Sequence, residues 1–306
     1  MNEDYQIKYL QQREIDIEKW NACIDKAPNG LIYSYSFYLD HMSKHWDALV
    51  INNYEAVMPL PWNKKYGFHY LYQPAFTAQL GVFGNNLNEE LVQGFLEYIP
   101  DKFRLKEIAL NDQNNFPSVI DGYYPRINYI LDLNKPYEEI LKKYRDNHKR
   151  NISKADQLGC IATTDIAVDD IINLHEELLR NVDGTKSEDY INFKKLFGLL
   201  QTKGQAKTYG IVHQNKILAS AVFFFSHNRA YYILVGNHPD GKTLGASHAL
   251  IDAFIKDHAG QNLILDFEGS DIRNLAFFYS GFGAKEEIYP GIKINNLPWH
   301  IRWLKK

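Results

Sequence analysis

The period of the hydrophobic pattern changes several times along the chain, and each change predicts an element. Residues 17–27 carry apolar positions at helical spacing, with Trp20 and Ile24 on one face, and 36–44 predict a second helix capped by Ser34 or Ser36. Strand-like stretches follow at 48–51 and 55–60, parted by the turn pair Asn52-Asn53, and then at 68–72 and 80–83. Residues 89–99 read as a helix and 106–109 as a short strand. Asn, Asp, Pro and Gly crowd residues 111–126, which marks a loop or a domain edge.

The second half is more regular. Residues 129–133 are apolar and β-like, and a long helix is expected from 136 to 158. A strand at 160–164 precedes helices at 168–181 and 190–202. Strands at 206–213, 217–226 and 229–235 are separated only by the turn pairs Gln214-Asn215 and His227-Asn228, so an antiparallel meander is predicted. After a helix at 246–258, the buried strand Leu263–Phe267 stops at an acidic turn, Glu268-Gly269-Ser270. A short helix from Asn274 then closes at Gly281-Phe282-Gly283. Three consecutive strands without crossover helices exclude a doubly wound parallel sheet. The expected class is α/β of the α+β type, with mixed, largely antiparallel sheets. The first half is a looser copy of the same order.

Composition narrows the function classes. A chain of 306 residues suits two domains of about 150 and can bury roughly three quarters of its unfolded surface without disulfide staples. Cys23 and Cys160 lie far apart with no metal or CxxC spacing, so reduced thiols and a cytoplasmic location are expected. The start, Met-Asn-Glu-Asp-Tyr, lacks the pattern of a signal peptide, and the longest apolar run, 219–225, is too short to span a bilayer. A net charge of -3 supplies no general attraction to nucleic acid. The local exception sets Lys142, Lys143, Arg145, Lys149, Arg150 and Lys154 against Asp146. Aromatic residues make up 14%, which suits a ring-lined cleft and equally an aromatic-rich β protein. No metal box, serine elbow or phosphate loop competes for the chemistry.

Three segments carry a resemblance to a known family. Asp266-Phe267-Glu268-Gly269, followed by a helix and Phe282-Gly283, resembles the strand–helix signature of the GNAT-like acyltransferases, above all their FemABX peptidyltransferase branch. Tyr72-Gln73-Pro74 with Gly81, and the basic run Asn147–Ala155, resemble that branch as well. The resemblance covers most of the chain. It implies two tandem GNAT-like domains, 1–132 and 133–287, with 288–306 returning to complete the first. It further implies an N-acyltransferase that uses acyl-CoA or a related activated donor. The acceptor would be a small-molecule or peptide amine bound between the domains, and no metal is expected. Two alternatives stay open: an aminoacyl-tRNA-dependent peptidyltransferase, in which transfer RNA is the one nucleic-acid partner, and a non-catalytic ligand-binding module. The family's late helix carries Phe-Lys where this chain has Phe278-Tyr279, which argues against faithful peptide-bridge chemistry. Neither the acceptor nor the oligomeric state is legible.

The same resemblance places an acyl-CoA pyrophosphate on Lys242-Thr243-Leu244-Gly245-Ala246-Ser247, just after Asn237. Asn237, Lys242, Gly245, Ala246 and Ser247 are therefore the expected cofactor residues, at a helix start where unpaired N–H groups meet an anion. The string also reads as a Pro-Asp-Gly turn that caps a helix. Transfer to an amine needs an acceptor for the amine proton, a donor to the oxyanion and a proton for the leaving thiolate. Asp266 and Glu268, two apart on a strand, should face the same side, and Glu268 is the better acid/base candidate because the family has glycine there. Asp266 equally suits a helix cap. Tyr279 could protonate the thiolate or simply pack its ring. His238 has the pKa of a base but also the setting of a solvated turn residue. Lys149 and Arg150 are candidate substrate clamps, or part of a solvated helix face.

Overall fold

The computed structural model describes residues 6–179, 185–269, 271–299 and 302. Ser270 of the acidic turn, residues 180–181 of the helix expected at 168–181 and most of 300–306 lie outside the described residues. The chain divides into two compact units, residues 1–126 with 288–306, and residues 127–287.

In the first unit, β1 (Ile7–Leu10), β2 (His45–Ile51), β3 (Ala56–Lys65), β4 (Phe68–Leu71) and β6 (Phe103–Ala109) lie side by side in that order. The Ile288–Asn295 part of β13 (Lys285–Asn295) follows β6, and the short β5 (Phe83–Gly84) pairs with β3. The neighbours run antiparallel except β4 and β6, which are parallel. α1 (Ile17–Lys26) is capped by Asp16, whose side chain accepts from Lys19 N, and it sets Trp20 against Trp46 of β2 at 5.1 Å. α2 (Ser36–Met42) and α3 (Glu89–Glu97) complete the unit. Met58, Leu60, Leu71, Val92, Phe95 and Phe103 form the centre of its core. β1 is not expected from the sequence, because four half-exposed residues carry too short an alternation to stand out.

In the second unit the order is the 127–132 part of β7 (Tyr123–Asp132), β12 (Ile264–Asp266), β11 (Arg229–Asn237), β10 (Lys216–Ser226), β9 (Ala206–His213) and β8 (Ile161–Thr163). β9, β10 and β11 form the expected meander, and β12 joins β11 in parallel. Strand β10 is apolar on both faces because both are covered. Phe223 stacks on Phe254 of α9 (Ala246–His258) at 3.9 Å, and the next residue, Phe224, stacks on Phe193 of α7 (Ser187–Thr202) at 5.3 Å. α6 (Val168–Leu179) packs against β11.

Two sequence expectations are corrected. Of the stretch 111–126, read as a loop or a domain edge, Tyr123–Arg126 are not loop but already belong to β7. The helix expected over 136–158 is two helices, α4 (Tyr137–Lys142) and α5 (Asp146–Gln157). Between them Tyr144 buries its ring edge-on against Phe282 at 5.2 Å, and Arg145 takes an extended backbone and donates its N–H to Gly281 O. No proline or glycine announces that break.

Candidate functional site

Parallel pairing between β11 and β12 stops at Tyr231↔Asp266, while β11 runs on to Asn237. Where the two part, a cavity of about 710 Å³ opens. Tyr232, Val235 and Asn237 of β11 line one side, Phe267, Glu268 and Gly269 the other. α10 (Arg273–Ser280) adds Leu275, Phe278 and Tyr279, and the start of α9 adds Ser247 and His248. Every lining residue belongs to the second unit.

Glu268 reaches this cavity through a turn, and not along a strand. Its φ is +64°, in the left-handed region that costs a non-glycine residue about 1 kcal/mol or more, so it does not share a strand face with Asp266. Side chains underneath hold the turn. Asp266 Oδ1 accepts from Glu268 N at 2.8 Å and from Asn128 Nδ2 at 2.9 Å, and Asn128 Oδ1 accepts from Gly269 N at 2.7 Å. Arg229 pairs with Asp266 at 2.6 Å and with Glu287 at 3.4 Å. Despite the desolvation that opposes it, the two carboxylates hold the Arg229 guanidinium charged. Asp266 is buried, ion-paired and absent from the cavity wall, so its place is that of a support for Glu268.

Tyr279 is buried against Phe267, rings stacked at 4.5 Å, and edge-on to Tyr232 at 6.4 Å. Burial pushes the Tyr279 hydroxyl pKa up, and the charge of Glu268 adds to it, so the phenol stays protonated and able to donate. Burial raises Tyr232 in the same way, with Tyr279 adding to the effect. His248 sits on the α9 side, its ring edge-on to His148 at 4.6 Å and to Phe278 at 4.8 Å. Burial, and then the neighbouring His148, lower its pKa to about 4. The cavity thus brings a carboxylate, a protonated phenol and a neutral imidazole around an aromatic slot.

The expected cofactor residues divide. Asn237, Lys242 and Ser247 line the cavity, with Ser247 Oγ donating to Asn237 Oδ1 at 3.1 Å. Gly245 and Ala246 do not. The segment ahead of them is wound into a short helix, α8 (Pro239–Leu244), which His238 caps by accepting Asp240 N on Nδ1 at 3.1 Å. Gly245, at φ +75°, joins α8 to α9, and a Cβ there would come within 2.4 Å of Asn151 O in α5. Its glycine is required for helix packing. His238 lines the cavity but spends one ring nitrogen on the cap.

Lys149 and Arg150 are not brought to this cavity. Lys149 lines a second one of about 970 Å³ among α4, α5, α9, β8 and β9, with Tyr137, Ser153, Cys160, Asp252 and Lys256. There Asp252 accepts from Tyr137 at 2.8 Å and pairs with Lys256 at 2.9 Å. Arg150 is exposed on α5. Sequence reasoning missed Asn128, whose signal was a polar residue inside an apolar strand. It missed His248 for want of any signal in a helical run. Among the described residues no group of three or more His, Cys, Asp or Glu side chains is placed to hold a metal ion, and no helix is long and apolar enough to cross a membrane.

Residues 142–271, which include most of the cavity, match the acetyltransferase (GNAT) domain family. The whole fold is similar to FemX, 12% identical over 98% of this chain and 100% of that one, with a TM-score of 0.67. It is similar to L-PGS from Bacillus licheniformis, 13% identical over 94% of this chain and 95% of that one, with a TM-score of 0.56. A tandem GNAT protein from the clavulanic acid biosynthesis pathway is 10% identical over 94% and 98%, with a TM-score of 0.50. No curated protein matches the sequence.

Proposed function

We propose that the chain, whose residues 142–271 match the acetyltransferase (GNAT) domain family and whose fold is similar to FemX and to a tandem GNAT protein, acylates an amine within the second-unit cavity. The observation that carries this reading is the placement of Glu268 and Tyr279 on one cavity where β11 and β12 part. The amine nitrogen attacks the acyl carbon and the carbonyl π pair moves onto oxygen. Glu268 takes the amine proton, the bond to the leaving group breaks, and Tyr279 gives that group a proton. Phe267, Phe278 and Tyr232 shield the reacting atoms from water, which strengthens each electrostatic contact.

The donor we favour is acyl-CoA. An extended arm carrying amides fits along β11 where it has left β12, and Asn237, Lys242 and Ser247 stand nearby for polar contacts. Isothermal titration with CoA and acetyl-CoA tests it: saturable heat is expected, and no binding at millimolar concentration removes the thioester donor. An aminoacyl-tRNA donor is the second reading. It is favoured by the closure of α8 and by the use of Gly245 for packing, which leave less open backbone for a pyrophosphate. It predicts salt-sensitive retention of charged transfer RNA that weakens in a Lys149→Ala/Arg150→Ala variant.

A further inference from the structure

His248 lines the cavity, and the transfer steps above give it no part. It is the third residue of α9. Its Nε2 faces Asn151 Nδ2 at 3.4 Å, and an amide NH2 can only donate. Nε2 is therefore the accepting nitrogen, and the neutral ring carries its hydrogen on Nδ1. That Nδ1 has no hydrogen-bond partner among the described residues, although the ring lines the cavity. The ring is fixed as well as oriented, edge-on to both His148 and Phe278.

The surroundings keep the imidazole uncharged. His148 on α5 is itself buried and donates from Nε2 to Phe278 O at 2.8 Å. Burial lowers the pKa of His148 against the raising effect of its hydrogen bond to Phe278, and the positive charge of Arg145 lowers it further. α9 presents its positive end to its own first turn. Lys242, His238, His175, Glu268 and Tyr279 face the same cavity from the other elements. Burial, and after it the neighbouring His148, lower the pKa of the ring. An imidazole this weakly basic is a poor proton acceptor at neutral pH but a sound hydrogen-bond donor.

We propose that neutral His248 donates its Nδ1–H to the oxygen of the reacting acyl group, holding the negative charge that develops there while Glu268 and Tyr279 move the protons. This inference rests on the acyl-transfer reading of the same cavity. Asn151 is then a positioning residue, which selects the tautomer and does not touch the substrate.

The test has two arms. The first is long-range 1H–15N spectroscopy of the protein labelled at histidine, with the His248 signals assigned by their loss in His248→Asn. A single Nδ1–H tautomer, unchanged from pH 8 to about 5, is expected; an Nε2–H tautomer, or titration near the ordinary 6.5, overturns the proposal. In Asn151→Ala both tautomers should appear, an effect that a purely structural asparagine would not produce. The second arm is turnover with whichever donor binds. His248→Ala should lower kcat by about 10² to 10³ with KM little changed, and His248→Asn, whose amide reaches the Nδ1 position, should recover part of it. A raised KM at unchanged kcat overturns the proposal. If no donor gives turnover in the wild type, the acyl-transfer reading itself has failed and takes this proposal with it. The tautomer arm separates that outcome from a failure of His248 alone.

Discussion

Each unit contains a pair of parallel strands, and the two pairs end differently. In the first unit β4 stops at Leu71, opposite Lys106 of β6, and the chain then fills its own opening. Gln73 Oε1 accepts Ala109 N at 3.0 Å, Gln73 Nε2 donates to Thr77 O at 2.9 Å, and Leu80 comes back to bridge Leu110 in parallel. The buried Asn111 and Asn114 satisfy the carbonyls of Leu80 and Val82. Gly81, at φ +98°, is needed there because a Cβ would fall 2.3 Å from Asn114 Oδ1. In the second unit the opening is kept. Asn128 and Asp266 satisfy the backbone of the turn from below and leave Glu268 at the cavity wall. Past the C-terminal end of a parallel-paired strand, buried polar side chains close the gap in one unit and brace an open one in the other.

The largest way to break this contrast is to remove the brace. Arg229→Ala leaves the buried carboxylate of Asp266 and the half-buried one of Glu287 without their cation, which costs about 3–5 kcal/mol. Urea denaturation should show that loss, and should show less of it in Asp266→Asn, where the charge is removed and Asn128 can still bond. An Arg229→Ala protein as stable as wild type would mean that the network is ornamental. Next comes Glu268→Gln. It keeps the shape of the turn but removes the proposed proton acceptor, so kcat should fall about 10² to 10⁴ while the denaturation midpoint stays put. Equal losses in both would make Glu268 a structural residue.

How far the molecule is legible in its sequence depends on whether the signal is local. The meander of β9, β10 and β11 is visible because long apolar strands alternate with the turn pairs Gln214-Asn215 and His227-Asn228, all of which take left-handed backbones. The strand–turn–helix at the end of the second unit is visible for the same reason, and it locates Glu268 and Tyr279. The left-handed backbone of Glu268 is not. Nothing in a glutamate's neighbours announces it, because Asn128, distant in sequence, holds the turn. Gly245 stands out in the sequence, but its role does not. A glycine beside a helix start reads alike whether an anion or the backbone of α5 approaches it. Charge alone groups Lys149 and Arg150 with the cavity, and the turn of α5 points them elsewhere.

A smaller effect is expected from the closed end. Gln73→Ala removes one accepting and one donating group from the first unit, worth about 1–3 kcal/mol where the Ala109 N–H is left unsatisfied. Stability should fall by that amount, with turnover per folded molecule unchanged. If turnover falls too, the closed end contributes to the chemistry and the contrast between the units fails.

The smallest effect lies in the acid response, which separates the two ends by charge type. Amides fill the first unit's gap and do not titrate, whereas His148 and His248 flank the second unit's cavity with lowered pKa values. A histidine whose folded pKa lies below its unfolded value binds protons more readily when unfolded. Its contribution to stability is therefore complete above about pH 6.5 and is lost as pH falls toward the folded value, about 4 for His248. Wild-type protein should lose more stability between pH 7.5 and 4.5 than His248→Asn does, while Gln73→Ala should follow the wild-type slope. Parallel slopes for wild type and His248→Asn would show that His248 is solvated and titrates normally, and the distinction between the open end and the closed end would then rest on Glu268 and Tyr279 alone.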